Sequence, residues 1–368
     1  MRHNDSLTSL RGIAACSVVL FHYSIFGPNL ELLDRLPFLN RSHLWVDFFF
    51  MLSGYVMMLV YGETLKIDSW TSIRGFYWAR LARIYPLHLV VLLILIGLEF
   101  AAAVFGQSNS QPFTLASRSF GSVWTNLLLI QSWHFHTGNT WNIPSWSISC
   151  EWAAYLIFPF ILAKLRENQT KRNWGILLTS VGSLIIMERW YGSLSMSFDW
   201  GVARCLGSFI AGATIFELLK ETQVTDFGNS LFYVSVLGLP FAALTIIDRL
   251  DMEWLAIPVF LVLLSVMSKA RSPVRFILLE TRPMFYLGQL SYAIYISHWV
   301  VQSTIPALFV RFVMAKGRHP SSTSTDTLLL LAMIVLTVII SLLLHVLVEK
   351  PARIHLRNVL RSDSHDLP

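Results

Sequence analysis

The chain has 368 residues, 54% of them apolar and only 14% charged, with a mean hydropathy of +0.56. An ordinary soluble domain carries roughly 25% charged residues, so this composition excludes a soluble globular enzyme and indicates an integral membrane protein. The formal charge of +6 and isoelectric point near 9.3 do not signal nucleic acid, because the basic residues form no single patch and alternate with the apolar runs.

Runs long enough to cross a hydrocarbon core of about 30 Å at about 1.5 Å per residue occupy, in chain order, roughly 7–26, 44–62, 84–106, 146–164, 174–191, 201–219, 229–247, 253–268, 285–314 and 327–348. The expected fold is an all-α, polytopic transmembrane helix bundle of about ten spans. One integral domain covers 1–350, and 351–368 forms a short basic cytoplasmic tail. With the N-terminus in the cytoplasm, the cytoplasmic segments hold most of the Lys and Arg: Arg74, Arg80 and Arg83, the KLRENQTKR loop, and Arg271, Arg275 and Arg282. The positive-inside rule then places both termini in the cytoplasm, with RFVMAKGRH at 311–319 the one segment that resists. The first run is read as a permanent helix, because Arg11 lies inside it and FGPNLELLD offers no small-x-small cleavage site. Pro306 is expected to kink or end the long ninth run.

Cys16, Cys150 and Cys205 fall in or at the edges of spans, which supports neither a disulfide framework nor a metal cluster. The HFH at 134–136 has no further ligand type nearby and is read as a wet loop, so no metal is expected. The segment 107–145 is rich in Ser, Asn, Gln and Trp, and its VWTNLLLI stretch suits a short interfacial helix. Its aromatic and amide groups fit either a sugar surface or an ordinary aromatic belt. SSTSTDT at 321–327 is a loop.

Ionisable groups at membrane depth are costly and by default mark function. Arg11 and His22 are eleven residues apart, close to three whole helical turns, so both point the same way on the first helix with about 16 Å between them. That arrangement lines a pathway with a cation at its entrance and a proton acceptor within; the alternative has Arg11 snorkelling and His22 bonding a carbonyl. Ser147 and Glu151 share a face at i and i+4, with Tyr155 a turn further; Glu151 either polarises an imidazole or pairs with an arginine. Arg80 and Arg83 stand one turn apart just before the third span, where their forks match phosphate oxygens or serve as topology signals. Asp47 begins a helix, with capping as its ordinary role, and Ser53 and Gly54 permit close helix packing. Ser291, Tyr295 and His298 make a polar stripe on one helix, as relay, ligand contact or structural residues.

Taken in series, SLTSLRGIAACSVVLFHY, VDFFFMLSGYVM, FYWARLARIYP, IPSWSISCEWAAYLIFP, LGQLSYAIYISHW and LVEKPAR resemble the acyltransferase 3 family of bacterial integral membrane O-acyltransferases. The resemblance crosses nearly the whole chain. It implies that His22 is catalytic, with Glu151 and Ser147 beside it. It also implies that Arg11, Arg80 and Arg83 bind the donor, and leaves Ser291, Tyr295 and His298 as relay or substrate contacts. The implied donor is cytosolic acyl-coenzyme A, acetyl first, used as a substrate with no permanently bound cofactor. The implied acceptor is a hydroxyl of a carbohydrate or glycolipid such as exopolysaccharide or lipopolysaccharide, and the implied location is the bacterial inner membrane. His22 acts either as general base or as covalent acyl carrier. Val300 stands where the family often has Pro after the second His-Trp, and the match is to the standalone members that lack an appended periplasmic domain. A proton-coupled transporter or flippase is the competing class, although no inverted repeat is visible.

Overall fold

A backbone at membrane depth has no water to bond, so its N–H and C=O groups must pair within the segment. The computed structural model describes residues 5–26, 33, 36–104, 118–167, 169–221, 230–269, 279–315 and 323–355, and all regular structure among them is helical. The helices are α1 (Asp5–Phe26), α2 (Trp45–Tyr61), α3 (Trp70–Val104), α4 (Phe120–Leu127), α5 (Trp146–Leu165) and α6 (Thr170–Tyr191). They continue with α7 (Gly201–Leu219), α8 (Ser230–Leu250), α9 (Ala256–Lys269), α10 (Arg282–Ala315) and α11 (Thr323–Leu344). A π-helical turn at His345–Glu349 follows α11, and the chain stays helical through His355.

Every apolar run read from the sequence is occupied by a helix, and the amphipathic α4 falls where a short interfacial helix was expected, its N-terminus capped by the Ser119 side chain. Five stretches, 42–61, 70–102, 143–165, 201–219 and 325–355, are by themselves long and apolar enough to cross a bilayer. The tail from 356, Arg271 and Arg275, and parts of the 107–145, 311–319 and 321–327 segments lie outside the described residues.

Three boundaries differ from expectation, one being the SSTSTDT stretch read as a loop, which is helical from Thr323, where α11 begins. The third helix starts at Trp70, so Arg80 and Arg83 ride on α3 instead of preceding it. Pro306 does not end its helix, because α10 runs on to Ala315; Pro86 and Pro159 are likewise absorbed. Packed neighbours can satisfy the one backbone group that each proline frees.

Two close crossings organise the bundle. A Cβ on Gly54 of α2 would lie 2.0 Å from the Phe209 carbonyl oxygen, and one on Gly212 of α7 would lie 1.9 Å from that of Met51. On the second pair, a Cβ on Gly288 of α10 would sit 2.0 Å from the Thr8 carbonyl oxygen of α1. Glycine is what lets these backbones touch. The first crossing also encloses an ion pair. Asp47 lies within α2 and accepts from Arg204 Nη2 at 2.6 Å and from Arg204 Nε, while Ser208 Oγ donates to it at 2.9 Å. Both charged side chains are buried. Asp47 makes no N-terminal cap for α2; it neutralises an arginine that cannot reach water.

Candidate active site

Helices α1, α2, α3, α5 and α10 surround a cavity of about 760 Å³, its open mouth included. Helical periodicity brings its polar groups together: Ser291, Tyr292 and Tyr295 come from one side of α10, and Ser147, Glu151 and Tyr155 follow each other at four-residue intervals on α5. Arg11 enters from α1, Ser53 from α2, and Arg80 and Arg83 from α3. Seven of the nine site residues expected from sequence therefore line one space, and His22 and His298 do not.

The three guanidinium groups are held differently. Arg80 donates to Tyr61 Oη at 2.9 Å and lies over the Tyr61 ring, its carbon 5.1 Å from the centroid. Arg11 and Arg83 make no hydrogen bond or ion pair with the described residues, although both face the cavity. Glu151 is not their partner. Its carboxylate instead accepts from Ser53 Oγ at 2.7 Å and from the Tyr155 hydroxyl. Ser147, a turn away on the same face, bonds Tyr295 Oη at 2.8 Å and donates to the Pro144 carbonyl, so it and Glu151 share the cavity without bonding each other.

The histidines form a separate pair just beyond the cavity. His298 Nε2 lies 3.1 Å from His22 Nδ1, and His298 Nδ1 donates to the Tyr295 carbonyl oxygen at 2.7 Å. The Trp299 ring meets His22 edge-on, with 6.0 Å between centroids. Of the two residues expected to line one pathway, Arg11 lines this cavity and His22 is not among its lining residues. Tyr295 lines the cavity on one side and neighbours His298 on the other, its ring centroid 6.1 Å from that of His298 and 5.8 Å from Phe49. Phe49 and Tyr295 line the cavity on the side nearest the histidines.

The segment between α4 and α5 is built into the same region. Asn142 Nδ2 donates to the Ile296 carbonyl of α10 at 3.0 Å, Gln131 Nε2 to that of Ser145 at 3.1 Å, and Trp141 Nε1 to Ser122 Oγ at 2.9 Å. Leu129, His134 and Trp141 all adopt positive φ here, a strained backbone that surrounding bonds must hold in place. His134 bonds the Asp199 carbonyl and His136 the Thr125 hydroxyl.

Sequence reasoning missed Arg204, the arginine inside the seventh apolar run, which the cost of an intramembrane charge should have flagged together with Asp47. It also gave Ser53 a packing role and overlooked its bond to Glu151. The tyrosine partner of Arg80 carried no sequence signal, since Tyr61 ends a different helix.

The family model described as "Acyltransferase domain" matches residues 4–346. The chain is similar to Acyltransferase MdmB of Streptomyces mycarofaciens, 36% identical over 180 residues, which is 46% of this chain and 42% of that protein. It is 22% identical over 344 residues to the protein named "Putative O-acetyltransferase SAS0844" of Staphylococcus aureus (strain MSSA476), covering 84% of this chain and 52% of that one. A third relative, "Protein 2 in picA locus" of Rhizobium radiobacter, is 36% identical over 101 residues, 27% of this chain and 48% of that protein. The chain spans about half the length of the curated relatives it matches. No solved structure matches it. Because the family model takes in all five helices that enclose the cavity, the match reaches the site as well as the fold: the chain belongs to the acyltransferase 3 family.

Proposed function

We propose that this chain is a membrane O-acyltransferase of about ten spans with both termini in the cytoplasm. On this reading it sits in a bacterial inner membrane. It moves an acyl group, acetyl first, from cytosolic acyl-coenzyme A to a hydroxyl of a carbohydrate or glycolipid. The observation that carries the reading is the pair Arg11 and Arg83, two guanidinium groups that face a cavity within the bundle and, among the described residues, pair with no carboxylate. A guanidinium in a half-enclosed cavity among apolar side chains is less well hydrated than one in bulk water, and a polyanionic ligand offsets that cost. Phosphate oxygens match the guanidinium fork in geometry and charge, and coenzyme A offers them on an arm long enough to reach further into the bundle.

With its phosphates at Arg11, Arg80 and Arg83, the donor sends its pantetheine arm toward the Phe49–Tyr295 layer. Displacement of the Tyr295 ring opens the way to His22. There the acceptor hydroxyl loses its proton, its oxygen attacks the thioester carbonyl, the carbon–sulfur bond breaks and the thiolate takes up the proton. His22 serves either as the base for the hydroxyl or as the first acceptor of the acyl group. Glu151, with Ser53 and Tyr155, sets the negative potential behind the arginines and keeps them facing the cavity.

The test is thermal unfolding of the detergent-purified protein with coenzyme A. Saturating coenzyme A at about a hundred times its Kd is expected to stabilise by about 2.7 kcal/mol, a rise of several degrees. Arg83→Gln, which removes no hydrogen bond among the described residues, should abolish the shift while leaving the unliganded transition in place. A transporter of glycans has no reason to respond to coenzyme A, and an unchanged transition in the wild type would sink the donor assignment.

A further inference from the structure

The bond between the two histidines fixes more than their positions. A carbonyl oxygen only accepts, so His298 Nδ1, 2.7 Å from the Tyr295 carbonyl, carries a proton. A doubly protonated His298 would be a cation at membrane depth with no carboxylate bonded to it among the described residues, an arrangement that costs several kcal/mol. The ring is therefore neutral, and its Nε2 holds a lone pair. That lone pair faces His22 Nδ1 at 3.1 Å, and two lone pairs do not form this contact, so the proton between the rings belongs to His22 Nδ1. A neutral imidazole has one protonated nitrogen. His22 must then carry its own lone pair on Nε2, the nitrogen turned away from His298.

We infer that His298 is a positioning residue that, together with the Val18 backbone bonded to the same ring, sets the His22 tautomer, making His22 Nε2 the atom that takes the proton or the acyl group during transfer. The inference rests on the acyltransferase reading above and names the reacting nitrogen within it. When Nε2 takes the acceptor's proton, His22 becomes an imidazolium whose Nδ1–H already points at the His298 lone pair, so the positive charge appears against a pre-placed acceptor and no group reorients. When the proton passes on to the departing thiolate, both rings return to their starting tautomers. The backbone supplies the reference for the whole relay: the Tyr295 carbonyl orients His298, which orients His22. Asn142, donating to the Ile296 carbonyl at 3.0 Å, fixes the same turn of α10 from the other side. A neutral histidine thus does the orienting that a carboxylate performs in many triads, without placing a buried charge in the membrane.

The test compares His298→Ala, His298→Asn and His298→Gln with wild type and His22→Ala. Each variant replaces the chromosomal copy in the native host, and membrane vesicles are assayed for release of free thiol from acetyl-coenzyme A. Glutamine can extend its amide oxygen to the place of the lost Nε2 and accept from His22 Nδ1–H; asparagine ends short of it. The expected result is a kcat lowered roughly 100-fold or more in His298→Ala and His298→Asn, a KM for acetyl-coenzyme A within about threefold of wild type, and His298→Gln recovering to within about tenfold of wild type. The asparagine variant supplies the comparison if alanine fails to accumulate. A glutamine variant no better than asparagine, or a loss expressed in KM alone, would overturn the tautomer role. Full activity in His22→Ala would instead overturn the underlying enzyme reading, whatever the His298 variants do.

Discussion

Ser291 Oγ is buried and lines the arginine cavity, yet among the described residues it has no hydrogen-bond partner. A serine within a helix ordinarily returns its hydroxyl to a carbonyl one turn back, as Ser180 and Ser265 do here. An unmet buried hydroxyl is a cost to the empty protein and an asset to the bound one. Ser291→Ala should therefore leave the unliganded thermal transition unchanged or slightly higher. It should also raise the KM for acyl-coenzyme A about five- to tenfold, the equivalent of about 1 to 1.4 kcal/mol. A lower transition with an unchanged KM would return Ser291 to a structural role. The same residue shows what single positions in a sequence can disclose. Spacing along one helix correctly grouped Ser291 with Tyr295 and Ser147 with Glu151, because helical period fixes which residues share a face. Contacts between helices carry no such period. His22 and His298 are 276 positions apart, and only packing shows that one ring addresses the other while Tyr295 stands between them and the arginines.

At the level of helices, the small residues do what larger ones cannot. Gly54 and Gly212 let α2 and α7 meet backbone to backbone, and that approach brings Asp47 within reach of Arg204. Adding a methyl group at Gly212 forces it to within 1.9 Å of the Met51 carbonyl oxygen, and neither backbone can yield without separating the ion pair. Gly212→Ala is expected to cost more than about 3 kcal/mol, beyond the usual range for one added methyl, and to cut the folded protein recovered from membranes. Gly182, within α6, has nothing near its missing Cβ, and Gly182→Ala should be neutral or stabilising by about 0.5 to 1 kcal/mol. Equal yields for the two variants would contradict the packing argument. Helix existence was readable from apolar runs because the bilayer demands length and hydropathy. The start of α3 was not: its first turns, WTSIRGFYWAR, are too polar to register as a span, and only continuous backbone bonding through Pro86 reveals that the arginines belong to the same rod. That continuity matters for the site, since Arg80 and Arg83 are thereby held on a rigid element rather than a loop.

Across the whole molecule, the end of the bundle where α1 finishes is tied together by a polar knot absent from the sequence reading. Arg41 bonds Asp248 at 3.2 Å, Asp251 at 2.9 Å and Glu253 at 2.6 Å. Glu253 accepts further bonds from Ser193 Oγ and the Leu194 N–H, and Glu188 in turn accepts the N–H groups of Glu253 and Trp254. Elements from the start of α2, the end of α6, the end of α8 and the turn before α9 thus converge on one carboxylate. Burial alone would raise the Glu253 carboxyl; the His43 ring at 3.4 Å, the Leu194 N–H and Arg41 outweigh it and hold the group well below the usual carboxylate range. A carboxyl depressed on folding contributes stability above its unfolded value, about 4.3, and that contribution disappears as pH falls through the lower folded value. Glu253→Gln removes the charge while keeping the shape, and leaves Arg41 short of its most buried partner. At pH 7 it should destabilise by about 3 kcal/mol, read as a lower thermal transition in detergent. Lowering the pH below about 4 should begin to narrow the gap between the two transitions, which closes only as the pH falls through the lower folded value, where the wild type loses what the variant never had. The arginine cavity lies toward the other end of α1, so coenzyme A should shift both proteins equally at neutral pH; a smaller shift in Glu253→Gln would mean that the knot also shapes the donor site.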